Sequence, residues 1–173
     1  MKRLIWTSKL LIALFIVFLF VMSIGYIMGI RINTTPSIPL GIYMIIDKSP
    51  EKGDFIMFCP PDKPIFREIR KRGWINKGFC EGEFGVMMKV LVAKAGDVVS
   101  INEYGVIIND ILYDNSKPIM ALNLSPFYLS NYTLQEKEIL TMTDHNPLSF
   151  DARYYGVLNK QYIQGVIKPI FTW

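Results

Sequence analysis

Histidine is almost absent from this chain of 173 residues: His145 is the only one. A zinc centre built on several imidazoles is thereby excluded, and Cys59 and Cys80, the only cysteines, are too few to complete a tetrahedral thiolate site. A Ser-His-Asp triad is left with one candidate base, and His145 stands in Asp144-His145-Asn146-Pro147, the setting of an ordinary polar loop histidine. No HExxH zinc helix, GxxxxGK phosphate loop or GxSxG elbow occurs. Metal, cofactor and nucleotide chemistry have no visible foothold, so no cofactor and no metal are expected. Internal repeats and low-complexity tracts are missing too, and helical periodicity is scarce outside one segment.

Hydrophobicity, by contrast, is abundant: 51% of residues are hydrophobic and mean hydropathy is +0.27. The excess is concentrated. Residues 10–30, LLIALFIVFLFVMSIGYIMGI, contain no charge. At helical rise this run is roughly 31 Å long, enough to cross the hydrocarbon of a bilayer. It is too long and too uniformly apolar for the core helix of a small domain. Ser23-Ile-Gly25 offers a small-x-small pattern for cleavage, but the apolar run exceeds the ~7–15 residues of a secretory h-region, so a retained anchor is expected. Lys2, Arg3 and Lys9 precede the run, and Arg31 is the only charge between it and Asp47. The positive-inside rule then gives a cytoplasmic segment 1–9, a transmembrane anchor 10–30 and an extracytoplasmic domain 31–173.

Net charge is a modest +4, and a second basic cluster (Lys63, Arg67, Arg70, Lys71, Arg72, Lys77) has Glu68 inside it. A solvated loop, or one near anionic headgroups, accounts for it better than nucleic acid, which is not expected as a partner. Beyond the anchor the pattern is of short strands: residues 41–47, 54–59, 86–93, 98–101, 106–108, 138–143, 155–158 and 164–170. Asn-Glu-Tyr-Gly between 101 and 106 reads as a hairpin turn. Residues 61–85 read as a charged loop and 115–132 as the least regular stretch. The fold class is mostly β, one domain of ordinary size on a single helix. A domain outside the cytoplasm permits a Cys59–Cys80 disulfide closing the basic excursion, two buried free thiols being the alternative.

With histidine set aside, lysine is the other side chain able to activate a serine. Its ordinary pKa leaves roughly one molecule in 2,500 neutral at pH 7. Burial in apolar surroundings disfavours the ammonium and lowers that pKa by several units. A catalytic lysine should therefore interrupt a hydrophobic strand, as Lys89 does in Val86-Met-Met-Lys89-Val-Leu-Val-Ala93. An outward-facing strand lysine gives the same local pattern.

The surroundings of Lys89 separate the two. Gly96-Asp97 follows it at the spacing of the lysine box of type I signal peptidases, which this stretch resembles. Asn33-Thr-Thr35-Pro-Ser37-Ile-Pro39-Leu-Gly41-Ile-Tyr43 resembles the nucleophile box, just beyond the anchor. Ser149-Phe-Asp151-Ala-Arg153-Tyr-Tyr-Gly156 resembles the last box, Ser-x-Asp-Ser-Arg-x-x-Gly. Proline two after the serine, with Asn and Thr before it at even spacing, is similar to the conjugative-transfer (TraF-like) branch that matures pilin precursors. Ala95 departs from the usual Pro before Gly-Asp, Val90 from a common arginine, and Thr143-Asp144-His145-Asn146 only partly matches the motif that opens the last box.

The resemblance implies a signal-peptidase-type β catalytic domain on one transmembrane helix, in the inner membrane of a bacterium, with the catalytic domain periplasmic. It implies a serine endopeptidase with a Ser37/Lys89 dyad. The oxyanion donors would be the Ser37 backbone N–H and the Thr35 hydroxyl; Ser149 would orient the lysine, with Asp97, Asp151 and Arg153 as structural residues near the site. Its partners would be the lipid bilayer and a membrane-embedded precursor, a pilin or another signal-bearing preprotein. Rival readings are a general signal peptidase and a non-catalytic anchored β module of a secretion or pilus assembly. Water or a peptide amine could resolve the acyl-enzyme. Ile42 and Met44, near Ser37, are candidates to line shallow substrate pockets, although core packing explains them equally well.

Overall fold

The computed structural model describes residues 2–173. Met1, first residue of the expected cytoplasmic segment, lies outside the described residues, as do the side chains of Lys2 and Arg3, on which the orientation argument leans. Helix α1, Lys2–Ile27, is continuous through residues 2–9. Its stretch Trp6–Ile27 is long and apolar enough to cross a membrane, and none of it is buried against the rest of the chain. The helix stops before the expected residue 30. Gly29 takes φ 91°, a left-handed conformation that glycine adopts without strain, and Ile30 already belongs to strand β1, Ile30–Asn33. Ile30 is apolar like the helix before it, so composition alone could not place this boundary.

The remainder is mostly β. Seven antiparallel strands form the main sheet, in the order β1, β2 (Gly41–Ile46), β12 (Ile163–Thr172), β3 (Phe55–Phe58), β5 (Met87–Lys94), β10 (Glu138–Met142) and β11 (Leu158–Asn159). A second sheet of four runs β8 (Ile111–Leu112), β7 (Gly105–Ile108), β6 (Val98–Asn102), β9 (Leu129–Thr133). The β6–β7 hairpin turns at the expected place: Asn102 opposes Gly105, and the Asn102 carboxamide accepts from the N–H groups of Tyr104 and Gly105. The larger core, including Ile56, Phe58, Phe66, Phe84, Leu91, Val99, Leu140 and Tyr155, joins both sheets. A smaller cluster of Ile38, Tyr43, Met57, Met88 and Ile167 lies under the loop between β1 and β2.

Three expected segments differ. Residues 61–85 are not one charged loop: α2, Pro64–Lys71, begins with Pro at its first turn and buries Phe66 and Ile69, spaced by one helical turn. Its charges face outward and mask the short apolar stripe in the sequence, and strand β4 (Lys77–Cys80) follows. Residues 152–155 are a helical turn, α3 (Ala152–Tyr155), capped by the Asp151 side chain; Gly156 ends it at φ 72°, so only Leu158 and Asn159 form strand there. Within the irregular 115–132 stretch, β9 pairs with β6. The three arginines of the basic cluster are paired: Arg67 with Asp62 at 2.5 Å, Arg70 with Glu83 at 2.6 Å and Arg72 with Glu68 at 3.0 Å.

Candidate active site

The seventh residue after Ile30 is Ser37, in the loop from β1 to β2, and three forces fix that loop. Ile38 is fully buried in the smaller cluster. The Tyr43 hydroxyl donates to the Pro39 carbonyl at 2.7 Å. Asn33, 3% exposed, supplies the rest. Its Nδ2 donates to the carbonyls of Thr35, Ile38 and Pro39 at 2.9, 3.0 and 3.0 Å, while its Oδ1 accepts from the Thr35 N–H and hydroxyl. Ser37 is left half-buried at the surface of a loop whose flanks are tied down.

Lys89 comes from β5, paired with Ile56 of β3, and is 1% exposed. Its Nζ lies 2.6 Å from Ser37 Oγ and 2.5 Å from Ser149 Oγ. The Ser149 hydroxyl donates to Ser37 Oγ at 3.2 Å, closing a triangle of three polar groups. Burial pushes the Lys89 pKa down from 10.5 to about 8; the Asp151 carboxylate opposes that fall and the Arg153 guanidinium reinforces it. Among the described residues no carboxylate makes hydrogen-bond contact with this amine, so its neutral form is reached well below the ordinary lysine range.

Ser149 is held from behind. Arg153 and Asp151 are both fully buried and face each other in a two-pronged pair, Nε to Oδ1 and Nη2 to Oδ2, each 2.7 Å. The same guanidinium donates to the Ser149 carbonyl at 3.0 Å and the Pro147 carbonyl at 2.8 Å. The pair thus braces the turn that presents Ser149. Asp97 is elsewhere, contrary to its expected place near the site. It caps the turn from β5 to β6, accepting from Lys52 at 2.8 Å and from the Lys94 N–H, because it lies eight residues along an extended path from Lys89. The Thr35 hydroxyl points to Asn33 Oδ1 at 3.0 Å. His145 is exposed, its N–H bound by Thr143 Oγ1.

Ser37, Lys89 and Ser149 open into a groove of about 810 Å³. One wall comes from the excursion between the cysteines, with Trp74, Asn76, Lys77 and Phe79, and the Cys59–Cys80 disulfide ties that wall to the end of β3. The apolar floor is Ile45, Met57 and Met88. Ile42 and Met44 take no part, because alternation along β2 puts them on the face opposite Tyr43 and Ile45. Asn33 was visible in the sequence only as part of a motif; an asparagine four residues before a loop serine is the signal that marks it. The groove wall lay in the segment read as a loop, and nothing in its charge pattern revealed it. Among the described residues no cluster of three His, Cys, Asp or Glu side chains is placed to hold a metal ion.

The chain belongs to the signal peptidase family, peptidase S26, whose profile matches residues 3–173. It is 43% identical to the plasmid transfer protein TraF of Escherichia coli over 153 residues, 86% of each chain. It is 32% identical to a probable conjugal transfer protein TraF of Sinorhizobium fredii, over 87% of this chain and 81% of that one. Among solved structures it is similar to a signal peptidase I of Enterococcus faecalis V583, at 20% identity and a TM-score of 0.40, covering 69% of this chain and 97% of that one.

Proposed function

We propose that this chain is a membrane-anchored serine endopeptidase of conjugative transfer, with Ser37 as nucleophile and Lys89 as general base. It would process a pilin or another signal-bearing precursor at the outer face of the bacterial inner membrane. The observation that carries the reading is the 2.6 Å contact between Ser37 Oγ and a lysine that is 1% exposed and has its pKa lowered to about 8. Neutral Lys89 accepts the Ser37 proton as Oγ attacks the scissile carbonyl, then returns it to the leaving amine. Ser149 holds the amine on line. The developing oxyanion needs donors at ~2.7–3.1 Å, and the Ser37 N–H and Thr35 hydroxyl are the candidates. For the latter, rotation about the Thr35 side chain exchanges Asn33 Oδ1 for the substrate oxygen.

The domain assignment follows the same reading: residues 1–9 cytoplasmic, the anchor through the apolar helix, and the peptidase domain beyond it in the periplasm. The disulfide suits that oxidising compartment. The test is co-expression of the chain with the pilin precursor of a conjugative system, followed by mass spectrometry of the product. Wild type yields a shortened pilin, and Ser37→Ala, inserted in the membrane at equal level, leaves it full length. Processing that survives in Ser37→Ala would refute the assignment.

A further inference from the structure

The groove holds a cation that the dyad does not use. Arg31 stands two residues before Asn33 in β1, so the two share a face of the strand with their Cα atoms roughly 7 Å apart. Its guanidinium is preset. Nη1 donates to the Tyr26 and Ile30 carbonyls, both at 2.8 Å, and the plane rests 3.9 Å over the centre of the Tyr26 ring. Both protons of Nη1 are thereby engaged. Nε and Nη2, the side-on fork that grips a carboxylate with two parallel hydrogen bonds, meet no acceptor among the described residues.

The groove around that fork is cationic. Its charged lining residues are Arg31, Lys77 and Lys89, with no aspartate or glutamate among the described ones. Lys77 is partly offset by Glu83, whose carboxyl is held below its ordinary pKa chiefly by Arg70 and in part by Lys77. Among the described residues Arg31 has no such carboxylate partner. Resting on the peptidase reading above, we infer that Arg31 binds a carboxylate of the substrate, close to the scissile bond, and so selects precursors with an acidic group there. The carboxylate comes from an aspartate or glutamate side chain or from a chain terminus; both present the same planar pair of oxygens to the fork. A lipid phosphate is the less fitting occupant, because the fork shares its groove with the nucleophile.

The test uses the full chain in detergent micelles and internally quenched peptides with small residues around the cut. One Glu, Gln or Lys is placed at each flanking position in turn, and each peptide is made with a free and an amidated C-terminus. Wild type should cleave the best Glu peptide about tenfold faster in kcat/KM than its Gln twin, the size of one charge-assisted hydrogen bond. A free C-terminus preferred to its amide by a similar factor would assign the fork to a terminal carboxylate instead of a side chain. In Arg31→Gln either ratio falls to about one, Arg31→Lys keeps part of it, and Arg31→Glu shifts the preference to the Lys peptide. Equal cleavage of all peptides by wild type, lost in Ser37→Ala, would overturn the inference and leave the peptidase standing. No Ser37-dependent cleavage of any peptide would overturn both. An Arg31→Gln enzyme with unchanged peptide ratios that has lost a stimulation by phosphatidylglycerol vesicles would reassign the fork to headgroup phosphate.

Discussion

Strand β5 carries two lysines, Lys89 and Lys94, in opposite surroundings. Lys89 sits beside Ile56 of β3, one residue before β10 takes up the other edge at Val90, and among the described residues its hydrogen-bond partners are the hydroxyls of Ser37 and Ser149. Lys94 sits where the sheet ends; its ammonium reaches solvent and pairs with the Glu51 carboxylate. The surface pair is worth less than about 1 kcal/mol to the fold. The buried amine lacks the compensation that a contacting carboxylate would give it, and its charged form is a liability to the fold. A structural lysine would be arranged like Lys94. On the proposed reading, the arrangement of Lys89 serves its neutral form.

That contrast breaks first under Lys→Arg exchange. Lys89→Arg keeps the charge but cannot lose its proton, so kcat/KM should fall at least ~1,000-fold, as far as in Lys89→Ala, whereas Lys94→Arg should be unaffected. Precursor cleavage by purified enzyme measures it, and an active Lys89→Arg enzyme would show that the two lysines are alike after all.

The next largest effect compares the two ion pairs. Arg153→Leu strands the fully buried Asp151 carboxylate and four backbone carbonyls and should cost about 3–5 kcal/mol in denaturant unfolding. Glu51→Ala at the sheet end should cost less than about 1 kcal/mol. Similar losses would mean that the burial of the Asp151–Arg153 pair has no energetic consequence.

A pH series sharpens the comparison at a smaller scale. The acidic limb of the rate should have an apparent pKa of about 8, activity falling as Lys89 takes up its proton below that value. For stability the folded pKa is lowered, so the folded state holds fewer protons than the unfolded one between about 8 and 10.5. Stability should therefore rise with pH across that window. Below it the full penalty stands, roughly 3 kcal/mol at 1.36 kcal/mol per unit. Lys89→Met should remove that penalty, giving a dead enzyme more stable than wild type below pH 8. A wild-type unfolding free energy flat from pH 8 to 10.5 would contradict this. Smallest of all, Ser149→Ala leaves the amine on Ser37 and should slow cleavage only about tenfold, with the acidic limb kept.

A lysine inside Val-Met-Met-Lys-Val-Leu-Val-Ala is equally an outward-facing strand residue, so Lys89, like Ser37 and Ser149, was legible only through motif order; the structure brings the three side chains together. Strand alternation made β2, β3, β5 and the β6–β7 hairpin readable. What stayed hidden depends on contacts distant in sequence. Phe66 and Ile69 mark α2 only once the core they enter is known. Asp97 has the motif spacing of a site residue, yet eight residues of extended chain carry it to the opposite end of the sheet. Asn33 organises the Ser37 loop through five hydrogen bonds that no periodicity announces.

Only Met28 and Gly29 separate α1 from β1, and the Gly29 carbonyl accepts from the Ile45 N–H at 2.9 Å, so the joint is stitched to the neighbouring strand. The four residues of β1 then span roughly 13 Å before the Ser37 loop begins. On the membrane reading, helix and sheet work as the two arms of a caliper with a short, stiff hinge. A precursor would be selected by the length of chain between its own membrane segment and its cleavable bond as well as by its residues. Adding residues to that spacer, with the local sequence unchanged, should carry the bond out of reach.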